Sequence, residues 1–144
     1  YLMGNTISIR KINCEDMQKA CNCSNTDNYI IINTLDTNMQ KCLIKNTIKV
    51  EEEEKVINSI IKKTKNKNII IYGRNCNDEK TYKKYEQLVG LGFTNVYIYV
   101  GGMFEWLLLQ DIYGNELFPT TMKEIDILKY KSHRIFDVKY IENR

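Results

Sequence analysis

Ile69-Ile70-Ile71-Tyr72-Gly73-Arg74-Asn75-Cys76-Asn77-Asp78-Glu79-Lys80 is a β-branched run closed by an aromatic residue and a glycine, then a polar loop, then the start of a helical pattern. Strand, tight loop and helix in that order turn successive backbone N–H groups and a helix N-terminus toward one point, which is the arrangement that cradles an anion. Folds built this way place a nucleophile at the first loop position. Here that position is Gly73, which has no side chain.

The same alternation extends to either side. Upstream, Tyr29-Ile30-Ile31-Ile32-Asn33 is a continuous apolar run, expected of a central parallel strand buried on both faces. Residues 51–63 form a helix with Val56, Ile57, Ile60 and Ile61 in one stripe. Glu51 to Glu54 fall at the positive end of its dipole and Lys62, Lys63 and Lys65 at the negative end, so the acidic run reads as a solvated helix start. Downstream, residues 80–91 form a helix with Tyr82, Tyr85 and Val89 on one face, and Gly90 and Gly92 close it. Residues 95–99 read as a strand, and Gly101-Gly102 turns into a short helix, 103–110, that carries Trp106 and is apolar enough to be core.

The flanks are shorter. Ile7-Ser8-Ile9 reads as an edge strand, and Asn13 caps a helix that has Asp16 at its third position and runs to Cys21. Cys42-Leu43-Ile44 and Thr47-Ile48-Lys49 are short extended pieces. Thr121-Met122-Lys123-Glu124 has the form of a capping box opening a helix to Tyr130. The pattern predicts an α/β fold of three layers, with a mostly parallel sheet of about five strands and helices on both faces. Right-handed crossovers place the loop after Tyr72 at the C-terminal edge of that sheet. The domain is expected over residues 3–110, with 111–144 a C-terminal helical extension packed on it.

At 144 residues, 43% of them hydrophobic, the chain suits one domain with a real core. The net charge of +3 is spread along the chain and leaves no nucleic-acid footprint. Cys14, Cys21, Cys23, Cys42 and Cys76 are an odd set of five, expected as free thiols in a reducing cytosol. His133 is the only histidine, too few partners for a zinc site of about four ligands, so neither metal nor cofactor is expected. No apolar run approaches the length of a membrane span. Met3-Gly4-Asn5-Thr6-Ile7-Ser8 fits the N-myristoylation pattern, with Tyr1 and Leu2 ahead of the natural start. Gly4 is then the expected acyl acceptor. One acyl chain holds a membrane only marginally, and Arg10 and Lys11 add a weak second signal. The expectation is a cytoplasmic protein with a peripheral membrane attachment.

Over residues 7–110 the chain resembles a rhodanese domain. The matching features are Ile69 to Tyr72 leading into the loop, Gly92-Phe93-Thr94-Asn95-Val96, and Gly101-Gly102-Met103-Phe104-Glu105-Trp106. Residues 103–114 and Phe118-Pro119-Thr120-Thr121 also look like a eukaryotic branch of non-catalytic rhodanese-like proteins. The resemblance places the family's nucleophilic cysteine on Gly73, and glycine can neither carry a persulfide nor attack. A related cysteine-loop phosphatase would need that cysteine and an arginine closing the loop, whereas Asp78 and Glu79 stand there and repel anions. The family's Asp-x-Arg reads Asn33-Thr34-Leu35. The resemblance therefore implies a non-catalytic binding or scaffold module. It would meet a protein partner through Gly73, Arg74, Asn75, Cys76, Asn77 and Asp78 or through residues 111–144. The alternative is a sulfurtransferase or sulfur carrier using Cys76, which lies near Arg74 and a helix N-terminus, surroundings that favour a thiolate. Arg74 itself is expected to pair with Asp78 or Glu79.

Overall fold

The computed structural model describes residues 8–23 and 28–136. Gly4 and Ile7 lie outside the described residues, and with them the lipidation motif and the start of the first expected strand. The elements are β1 (Lys11–Ile12), α1 (Cys14–Asn22), β2 (Tyr29–Asn33), α2 (Val50–Ile61), β3 (Asn68–Tyr72), α3 (Glu79–Gly90), β4 (Asn95–Tyr99) and α4 (Gly102–Tyr113), with 3-10 turns at Thr37–Met39 and Ile127–Tyr130. All strand pairs are parallel, in the order β1-β4-β3-β2.

Side-chain alternation along the strands sorts the core into two layers. On one face, Ile31, Ile70 and Tyr72 pack with Met17 of α1 and Met103 and Trp106 of α4. On the other, Ile30, Ile69 and Ile71 pack with Ile57 of α2 and Tyr85 and Leu88 of α3. The helices therefore cover both faces, and the α/β three-layer architecture is as the alternation implies. The Asn13–Asp16 capping box is present, with Asn13 Oδ1 accepting from Asp16 N at 2.9 Å and Asp16 Oδ2 from Asn13 N at 3.2 Å.

Four expectations need correction. The sheet has four strands among the described residues, not five. Thr47 makes only a single bridge to Ile31, with Ile48 N donating to Ile31 O at 2.9 Å. Asn46 in the left-handed region at φ 68° stands just before it and Lys49 already caps α2, which leaves no length for a strand. As a consequence β2 is the outermost of the four and not interior. The first described strand falls at Lys11–Ile12, and the described part of the expected one, Ser8 and Ile9, is not in a strand.

The helix expected from Thr121 does not form, and only the 3-10 turn Ile127–Tyr130 does. Tertiary pairing consumes the cap: Thr121 N donates to Leu43 O at 2.8 Å, while its hydroxyl donates to Lys41 O and accepts from Leu43 N, each at 3.0 Å. Finally, α4 runs on to Tyr113 and is apolar on its outer side as well, so Leu108, Ile112 and Tyr113 are exposed. Beyond it, Phe118 and Tyr130 enter the same core as α1 and α4. Trp106 Nε1 donates to Pro119 O at 3.2 Å, and its ring meets Tyr99 and Phe118 edge-on. No described helix is long and apolar enough to cross a membrane.

Candidate functional site

The loop after β3 is anchored from below. Tyr72 is fully buried, and its hydroxyl meets the Thr47 hydroxyl at 2.8 Å while accepting from Ile44 N at 3.1 Å. The start of α4 grips the loop backbone, with Met103 N donating to Gly73 O at 2.9 Å and Phe104 N to Arg74 O at 2.8 Å.

The cradle forms, and the chain fills it. Asp78 Oδ2 accepts from Arg74 N and Asp78 Oδ1 from Lys80 N, both at 3.0 Å, so one carboxylate takes a loop donor and caps α3. A Cβ on residue 73 would lie 2.3 Å from Asp78 Oδ2 and 2.4 Å from Thr81 Oγ1. The place where a side chain at this position would begin is thus already held by an internal anion and a buried hydroxyl. Thr81 is fixed in turn by the Thr34 hydroxyl at 3.1 Å. At the Asp-x-Arg position, Asn33 Oδ1 accepts from Leu35 N and Gln40 Nε2, which makes it a local brace.

Arg74 does not pair with Asp78 or Glu79, contrary to the expectation. Its backbone N–H meets Asp78, while the guanidinium points the other way, Nη2 donating to Lys129 O at 2.6 Å. Asn75 Nδ2 donates to Tyr130 O at 2.7 Å and Asn77 Nδ2 to Ser132 Oγ at 3.1 Å. Residues 129–132 therefore lie as a strap across the outer face of the loop. Neither Lys129, Tyr130 nor Ser132 carries a sequence signal for this role. The only hint is the pair of amide donors at Asn75 and Asn77.

Cys76 is exposed. With Cys14, Tyr99 and Glu105 it lines an open groove of about 540 Å³ in which Glu105 is the only charged side chain among the described residues. Burial pushes the Cys14 thiol up, and Glu105 adds to the effect. Tyr99 Oη donates to Glu105 Oε1 at 2.7 Å. A carboxylate facing this groove works against a thiolate or persulfide anion there. Among the described residues no group of three or more His, Cys, Asp or Glu side chains could hold a metal.

Arg74 Nε and Tyr130 Oη are buried with no hydrogen-bond partner among the described residues. Burial, with Cys42 and Glu124 nearby, drives the Tyr130 phenol well above its ordinary range. Removing that hydroxyl removes a desolvated, unsatisfied group. Tyr130→Phe is therefore expected to raise stability by about 1 kcal/mol in urea unfolding, and a loss instead would show that the hydroxyl has a partner.

Fold and site together define the class: a rhodanese-type α/β domain whose anion loop begins with glycine and is filled by its own aspartate. Residues 14–109 match the family model described as Rhodanese-like domain, and the chain belongs to that family. Among curated proteins none matches. Several solved structures share the fold. Ygr203w, described as a yeast protein tyrosine phosphatase of the rhodanese family, aligns at 11% identity and TM-score 0.57, over 85% of this chain and 99% of that one. The BH2092 protein from Bacillus halodurans aligns at 17% and 0.56, over 85% and 90%. The Alr3790 protein from Anabaena sp. aligns at 18% and 0.54, over 82% and 97%. At these identities the likeness is one of fold.

Proposed function

We propose that this chain is a non-catalytic rhodanese-like module that binds a protein partner. The observation that carries the reading is the Asp78 carboxylate standing where a side chain on residue 73 would begin. A sulfur-transfer or phosphatase loop needs a nucleophile at that point and free N–H groups around it. Here the nucleophile is absent and the N–H groups of Arg74 and Lys80 are spent on the chain's own acid. The phosphatase description attached to the yeast structure of similar fold does not carry over to a loop of this kind.

Cys76 supports a second reading, a sulfurtransferase or sulfur carrier, because it is the exposed thiol of the loop. One assay separates the two. Thiosulfate-to-cyanide transfer is expected to stay at the level of a Cys76→Ser variant, with no persulfide on Cys76 by mass spectrometry. Turnover that Cys76→Ser abolishes would overturn the non-catalytic reading.

We further infer that the Met3 to Ser8 motif is acylated at Gly4 and holds the module at the cytoplasmic face of a membrane. Cell fractionation tests this: the membrane-bound share should fall in Gly4→Ala, and an unchanged share would remove the anchor.

A further inference from the structure

We infer that the outer face of the loop is a receptor for a short peptide segment, occupied in the resting chain by its own strap. The inference deepens the binding-module reading by naming what the module binds. Three side chains from one short loop, Arg74, Asn75 and Asn77, all donate outward, and none is spent on the loop's own acids. Two of them reach consecutive backbone carbonyls, Lys129 O and Tyr130 O. The third reaches a hydroxyl two residues beyond Tyr130, on Ser132.

Between these contacts the Tyr130 ring is fully buried as an anchor in the core beside the sheet, and Lys131 is extended at φ −65°, ψ 157°. Carbonyl contacts fix the backbone of any peptide, whereas a buried ring and a hydroxyl at fixed spacing select a sequence. The occupant this face fits is a segment that leaves a 3-10 turn at an aromatic residue and carries, two positions later along an extended backbone, serine or threonine. Tethering gives the chain's own strap an effective concentration in the millimolar range, so a segment from a partner enters only where the strap is displaced or weakened. The loop that has lost its anion chemistry would then serve as a self-covered protein-binding face.

The test uses the full chain and a fluorescein-labelled peptide with the sequence of residues 126–135. In the receptor, Lys129→Gly with Ser132→Gly loosens the strap without emptying the Tyr130 site. It removes the Lys129–Glu124 ion pair and the Asn77–Ser132 bond and adds backbone freedom. The peptide is expected to bind this variant at least about tenfold more tightly than the wild type. Adding Asn75→Ala to the same variant should reverse the gain, and a peptide with alanine in place of its tyrosine should not bind. Equal affinity for wild type and variant, or indifference to Asn75→Ala, overturns the inference.

Should the loosened variant fail to fold, native-state hydrogen exchange of the wild type decides. Strap amides at 128–132 are expected to exchange at least about a hundredfold faster than those of β3, through local opening. Strap amides as slow as β3 would make the strap a permanent part of the core and end the proposal. Either failure leaves the sulfur-transfer result, and with it the non-catalytic reading, untouched.

Discussion

Gly73→Ala is expected to lower stability by about 3 kcal/mol, an unusual cost for one methyl group on a loop. The added Cβ would sit 2.3 Å from Asp78 Oδ2 and 2.4 Å from Thr81 Oγ1, so both side chains must give way. Neither is free to do so. Asp78 holds the N–H groups of Arg74 and Lys80, and losing such an N-cap costs about 1 kcal/mol. Thr81 is 3% exposed and held by Thr34, and overpacking a fixed site of this kind costs about 1–3 kcal/mol. Gly73→Cys should suffer the same penalty and gain no sulfur transfer, because the thiol would face a carboxylate. Asp78→Gly combined with Gly73→Ala should cost less than the sum of the two single changes by about 1 kcal/mol or more, the signature of two groups competing for one space. Urea unfolding of the four proteins measures it. A Gly73→Ala variant within about 0.5 kcal/mol of wild type, the range of an ordinary surface substitution, would show that the space is open and that Asp78 does not fill it.

The parts legible in the sequence are those governed by local pattern. The isoleucine runs at Ile30 to Ile32 and Ile69 to Ile71 carried both the strands and their two-sided burial, because period-two alternation and apolar content act within a few residues. The Asn13 cap was legible for the same reason. So was the absence of a nucleophile at Gly73.

What could not be read depends on partners far along the chain. Thr121 has the right residues for a cap, but Leu43, 78 positions away, takes its hydroxyl. Arg74 has acids within four or five residues, yet its guanidinium goes to a carbonyl 55 residues on, since a backbone N–H had already claimed Asp78. Spacing reports which groups are near in sequence. It does not report which of several acceptors has been taken, and at this site that competition decides the chemistry.

The second large effect is expected at Gly102, and it tests whether the α4 start holds the loop in place. Gly102 opens α4 at φ 64°, and a Cβ there would lie 2.7 Å from Gly73 O and 3.0 Å from Asn75 N. These are backbone atoms, so no rotamer change relieves the contact. The left-handed conformation costs an alanine about 1–2 kcal/mol, and displacing the loop backbone adds about 1–3 kcal/mol of overpacking strain. Gly102→Ala is therefore expected to cost about 4 kcal/mol. Gly101→Ala is the control from the same dipeptide. Gly101 is already at φ −59°, ψ −33°, so an alanine there carries no left-handed cost. Its Cβ would meet Glu105, whose carboxylate can swing away at the expense of its bond to Tyr99, about 1 kcal/mol. The Glu105 Cβ at 2.7 Å cannot, which adds about 1 kcal/mol of overpacking and still leaves the loop backbone untouched. The difference should also appear in the strap. Moving Gly73 and Asn75 shifts the donors that hold Lys129 and Tyr130, so hydrogen exchange at 128–132 should accelerate in Gly102→Ala and stay near wild type in Gly101→Ala. Equal destabilisation by the two substitutions would mean that the α4 start does not press on the loop, and that the strap is held by its own packing and not by the loop that Gly102 positions.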